Sequence, residues 1–197
     1  HVKKVLSNPD RDGYLGPRHI KHGEGEDRWV HAVFFRALMA EYLATGDERI
    51  PQAMAKHYLS GTSDHTTRRE MCNIESICWT YAQTGDRRLL DHAVAAYEKF
   101  NEITQWDTSV TRLLSNKRTD LHGVTFCESV KIPAILYMYT GNRRWLKAAI
   151  HGFEKAQRDH LLIDGVVSST EALNENTAIN GHETCDIADF TWSLGTM

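Results

Sequence analysis

Tyr42-Leu43-Ala44-Thr45-Gly46-Asp47 returns as Tyr81-Ala82-Gln83-Thr84-Gly85-Asp86 and again as Tyr137-Met138-Tyr139-Thr140-Gly141-Asn142. Each copy follows an apolar-periodic run and precedes another. A Gly just past the end of a helix supplies the left-handed residue that closes the last turn. An Asp or Asn directly after it accepts from the free N–H groups of the next helix. The motif therefore reads as a helix, a Thr-Gly-Asp turn and an antiparallel helix.

The second helices align with one another. At positions +3, +7 and +11 from the capping residue stand Ile50, Leu89 and Trp145, then Met54, Ala93 and Ala149, then Tyr58, Tyr97 and Phe153. Steps of four lie on one face, the face each hairpin buries against its neighbour. First helices are expected at about 28–44, 69–83 and 124–139, with partners at about 48–59, 87–103 and 143–158. A fourth first helix is expected from near Thr184 through Trp192. No alternating strand pattern is found. Residues 107–121 read as a connection, and 160–182 as irregular, with a turn at Asp164-Gly165. The class is all-α. Uneven spacing between the copies disfavours a regular open solenoid and suits a closed barrel whose inserted loops build a site.

Composition agrees with a globular chain. Of 197 residues, 41% are hydrophobic and 25% charged, with a net charge of −3. Disorder and a disulfide-dense scaffold are excluded. No basic patch marks a nucleic-acid partner, and no run approaches the roughly 20 apolar residues of a membrane span. The opening His1-Val2-Lys3-Lys4 has neither an initiator Met nor a signal peptide, so residues 1–197 are expected to be part of one domain cut from a longer chain. Cys72, Cys78, Cys127 and Cys185 form no Cys-x-x-Cys pair, which disfavours a four-thiolate zinc site and fits reduced thiols of a cytoplasmic protein.

Chemistry-bearing residues gather late in the chain. Glu171 lies in the irregular segment, and Gly181-His182-Glu183-Thr184-Cys185 opens the last helix. A carboxylate and a thiolate two residues apart can both reach one metal ion if the first is still outside the helix, and His182 is a further possible ligand. The same spacing also allows Glu183 to be a helix cap and Cys185 a buried thiol. His31 and His122, at the starts of helices, are either structural residues or substrate contacts. Spacing alone leaves these alternatives open.

The run Gly181 to Cys185, with Glu171-Ala172 upstream, resembles glycoside hydrolase family 127, the β-L-arabinofuranosidases. Asp12-Gly13-Tyr14-Leu15-Gly16 resembles an early stretch of that family, and His31-Ala32-Val33 before Tyr42–Asp47 resembles its first His-bearing helix. His122-Gly123-Val124-Thr125, then Ile132-Pro133, then Tyr137–Asn142 resembles its His-x-x-Thr, Ile-Pro, Thr-Gly-Asp series. The resemblance runs in order along nearly the whole chain.

It implies an (α/α)6 barrel, incomplete in this chain, that hydrolyses a furanoside with retention. It implies a zinc ion held by Glu183 and Cys185 together with an adjacent pair of cysteines, one of them the nucleophile. It implies Glu171 as the general acid/base, with Glu175 as its rival because the loop to Glu183 is shorter than in the family. His31, His122 and Trp29 become sugar contacts. The cysteine pair is absent from these 197 residues, so they are expected to be inactive alone. Asp186 stands after Cys185, where the family resemblance leads one to expect a small residue. Two other classes share the hairpins: a zinc-independent α/α-barrel sugar enzyme (an unsaturated-uronyl hydrolase or a polysaccharide lyase) and a non-catalytic helical-repeat binding module.

Overall fold

Each Thr-Gly-Asp turn folds in the same way. Gly46, Gly85 and Gly141 take φ of 67°, 70° and 70°, and their N–H groups donate to the carbonyls of Tyr42, Tyr81 and Tyr137 at 2.7, 2.8 and 2.8 Å. Thr45, Thr84 and Thr140 each turn their hydroxyl back to a carbonyl in the preceding turn and accept the N–H of Asp47, Asp86 and Asn142 at 3.3 Å. Those three side chains in turn accept the N–H of Arg49, Arg88 and Arg144 at 3.0–3.1 Å. The chain is thus reversed with some of the orphan groups at both helix ends satisfied.

The structure is a computed structural model that describes residues 1–16, 21–22, 25–26, 28–60, 65, 69–103, 108–177 and 179–197. It contains two compact units, His1–Lys99 and Phe100–Met197. The first holds α1 (Val2–Leu6), a two-stranded ribbon of β1 (Lys21–His22) and β2 (Gly25–Glu26), α2 (Trp29–Thr45), α3 (Arg49–Leu59), a 3-10 turn (Glu70–Asn73) and α4 (Ile74–Thr84). Helix α5 (Arg87–Ile103) begins in it and carries the chain into the second. There follow α6 (Val110–Leu113), α7 (Gly123–Ser129), α8 (Ile132–Thr140), α9 (Arg143–Asp159), a ribbon of β3 (Ser169–Thr170) and β4 (Ala172–Leu173), and α10 (Thr184–Leu194). No described helix is long and apolar enough to cross a membrane.

The aligned face of the second helices is the buried face. Ile50, Met54, Tyr58, Leu89, Ala93, Tyr97, Trp145 and Ala149 are all buried. Each large apolar side chain among them contributes about 1.5–3 kcal/mol. Phe153 is half-buried and meets Phe190 of α10, while the closest approach in that turn is made at Gly152. A Cβ there would fall 2.8 Å from Leu113 and 3.0 Å from Val130.

One expectation is corrected. The helix expected over 124–139 is broken into α7 and α8. Pro133 cannot donate to the carbonyl of Ser129 and crowds it, so α7 ends there and α8 restarts with the proline in its first turn. Among the described residues there are also two ribbons of two-residue strands, each strand too short to show a period-two pattern, within an all-α fold. The 107–121 connection forms the short α6, and its first residue lies outside the described residues. The turn at Asp164-Gly165 is present, with Gly165 at φ 86°.

Candidate functional site

In the second unit the irregular segment after α9 turns back as the β3–β4 hairpin, and Glu171 is the single residue between its strands. It is the only described non-glycine residue with positive φ, 62°, and its side chain is 81% exposed. Residues are held in that region when surrounding contacts over-determine them, as at functional sites. The contacts here come from the start of α7. The Gly123 N–H donates to the Glu171 carbonyl at 2.8 Å, and the Leu173 N–H to that of Leu121 at 2.9 Å.

His122 faces the same hairpin. Its Nδ1 accepts the Thr125 N–H at 3.4 Å and so caps α7, and its Nε2 stands 3.3 Å from Glu171 Oε2. A ring nitrogen that accepts from a backbone N–H carries no proton, so in the neutral ring the proton sits on Nε2 and points at Glu171.

Glu183 is the N-cap of α10. Its side chain accepts the Asp186 N–H, and the Asp186 carboxylate accepts the Glu183 N–H at 3.4 Å, a reciprocal capping box. The cap and the ligand candidate are therefore one residue. Glu183 Oε2 lies 4.0 Å from Cys185 Sγ, and Glu183, Cys185 and Asp186 bring one donor atom each within 4.8 Å of one another. Cys185 is exposed, whereas Cys72, Cys78 and Cys127 are buried, and none of the four is in a disulfide. The Cys185 thiol pKa is raised, first by desolvation and then by the Asp186 and Glu183 carboxylates. Burial raises the Asp186 pKa against the lowering effect of Ser169.

The other expected residues are placed elsewhere. Glu175 pairs with Arg118 at 2.8 Å on the surface. His182 turns to Asp164, 3.6 Å away, and is not among the clustered donors. His31 and Trp29 belong to the first unit. His31 is 3% exposed; its Nε2 donates to the Leu15 carbonyl at 2.9 Å, while His57 Nδ1 accepts the Leu15 N–H at 2.9 Å. Two imidazoles thus hold the N–H and the carbonyl of one residue, in the two peptide units that flank Leu15. His31 also borders a cavity of about 490 Å³ with Val30, Phe34 and Gly16. One face of Trp29 is covered by the Arg69 guanidinium, 3.6 Å from the ring centre.

The model of the β-L-arabinofuranosidase GH127 catalytic domain matches residues 2–192. The chain belongs to this family. As a GH127 catalytic domain it is a glycoside hydrolase domain of β-L-arabinofuranosidase-like type, with a carbohydrate substrate. The GH127 catalytic domain is an α/α barrel, and helical hairpins are the units such a barrel repeats. No curated protein matches the chain. Within the GH127 domain Asp186 is the residue that spacing alone marks least, its signal being Glu-x-x-Asp at a helix start, the spacing of a capping box.

Proposed function

We propose that this GH127 chain carries the acid/base and half the metal shell of a retaining β-L-arabinofuranosidase. Glu171 is the acid/base, and Glu183 and Cys185 hold a zinc ion. The observation that carries the reading is the 4.0 Å between Glu183 Oε2 and Cys185 Sγ at an exposed helix start. A tetrahedral zinc with a thiolate at about 2.3 Å and a carboxylate at about 2.1 Å sets their donor atoms about 3.6 Å apart. A small side-chain rotation closes the difference, so the residues fit the ion. Bound there, zinc supplies a positive charge that keeps thiols ionised and nucleophilic near neutral pH.

Glu171 does the proton work. Protonated, it gives its proton to the leaving oxygen as the anomeric C–O bond breaks; ionised, it takes a proton from the water that releases the sugar. His122 holds one carboxylate oxygen through Nε2, which leaves the other for transfer. The nucleophile belongs to the family's adjacent cysteine pair, which these 197 residues do not contain. His31, His122 and Trp29 are proposed as sugar contacts.

The test is hydrolysis of an aryl β-L-arabinofuranoside by the full-length protein, with the first-formed anomer read by NMR. Retention of configuration is expected, and Glu171→Gln should lose about 10²- to 10⁴-fold in kcat. Full activity in Glu171→Gln would move the role to Glu175. Turnover of unsaturated uronides with none on arabinofuranosides would assign the other α/α-barrel chemistry.

A further inference from the structure

Asp186 has no place in the chemistry just described, yet it is fully buried. Burying a carboxylate is costly unless it is hydrogen-bonded, so its contacts are informative. One oxygen, Oδ2, accepts the Glu183 N–H and so fixes the backbone from which the Glu183 carboxylate reaches Cys185. The other, Oδ1, lies beside Ser169 Oγ at Gly123, and both of these oxygens are buried without a hydrogen-bond partner among the described residues. An ideal Cβ on Gly123 would fall 2.9 Å from Asp186 Oδ1 and 2.1 Å from Ser169 Oγ. Only a glycine lets the α7 start, Ser169 and Asp186 converge there. The Gly123 N–H in turn holds the Glu171 carbonyl, and Ser169 is the first residue of the hairpin that presents Glu171.

A single side chain therefore stands between the Glu183–Cys185 pair and the Glu171 hairpin. We propose that Asp186 is a positioning residue that sets Glu183 for metal binding and, packed with Ser169 against Gly123, holds the hairpin that carries Glu171. This rests on the zinc and acid/base roles proposed above. Partners behind the ligands of a metal site alter its affinity by about 10- to 100-fold when removed.

The experiment uses the full-length protein and three variants, measuring zinc affinity by chelator competition, kcat and KM on the aryl arabinofuranoside, and Tm. Asp186→Ala should weaken zinc binding about tenfold or more and lower kcat with KM little changed. Asp186→Asn should restore both to within about threefold, because its carbonyl still accepts the Glu183 N–H and its amide can donate to Ser169 Oγ. Ser169→Ala leaves the capping box intact; it should lower kcat while zinc affinity stays at the wild-type value. It also tests the link to the hairpin should Asp186→Ala not fold. The inference is overturned if Asp186→Ala lowers only Tm, if Asp186→Asn binds zinc as poorly as Asp186→Ala, or if Ser169→Ala keeps full kcat. Wild-type protein that binds no zinc would overturn the metal reading and this inference together; zinc-bound wild type with unaffected variants overturns this inference alone.

Discussion

His122 Nε2 and Glu171 Oε2 stand 3.3 Å apart, while the other nitrogen of the same ring caps α7. The two functions of one imidazole can be separated. His122→Asn keeps a good helix cap but loses the N–H that faces Glu171. Its Tm should stay near wild type while kcat falls about tenfold or more, a share of the 10²–10⁴ that acid/base catalysis supplies. Unchanged kcat would show that Glu171 needs no partner there.

Glu171 at φ 62° is in a conformation that L side chains other than Asn and Asp rarely adopt. Glu171→Gly should fold with equal or greater stability, by up to about 1 kcal/mol, while losing activity. Urea denaturation beside a kcat measurement checks this. A destabilised Glu171→Gly would mean that the side chain, and not the backbone pairing to Gly123, holds the hairpin apex.

Much of the fold was legible because local rules and tertiary packing agree. The three Thr-Gly-Asp turns carry their geometry in four residues, and the +3, +7, +11 face of each following helix is set by period alone. The break between α7 and α8 turns on one proline whose effect depends on Ser129 four residues earlier. The candidate site was half legible. Glu183 and Cys185 are neighbours in sequence, so their pairing could be read from spacing. His122 meets Glu171 only because the β3–β4 hairpin pairs with Leu121–Gly123, and two-residue strands leave no periodic trace. Asp186 packs with Ser169 against Gly123, a convergence that no short motif records.

The turn glycines offer a stability test free of packing effects. A Cβ on Gly46, Gly85 or Gly141 would meet nothing within 4 Å, so substitution acts through backbone conformation alone. Ala at each should cost about 1–2 kcal/mol, similar at all three, and Asn less. Urea melts of the three variants check this, and a much larger cost at one site would show that its turn is held by more than the shared motif.

His65 makes the first unit sensitive to acid. Burial first, then His92, His57, Arg28 and His31, lower its pKa well below the ordinary 6.5. Below that pH the unfolded chain takes up a proton that the folded unit refuses. Stability is therefore fully present above about pH 6.5 and is lost as pH falls below it, by at most about 1.4 kcal/mol per pH unit for one proton. Denaturant titrations from pH 7.5 to 5 should show this slope, and His65→Gln should flatten it. A slope identical in wild type and variant would assign the acid sensitivity to other groups.

The most direct test of the proposed site is the zinc content of the full-length protein beside Cys185→Ala and Glu183→Gln. About one zinc per chain, lost or strongly weakened in both variants with the helical CD signal unchanged, is the predicted result. A folded wild-type protein without zinc, or variants that keep it, would contradict the metal site and with it the zinc-held cysteine chemistry.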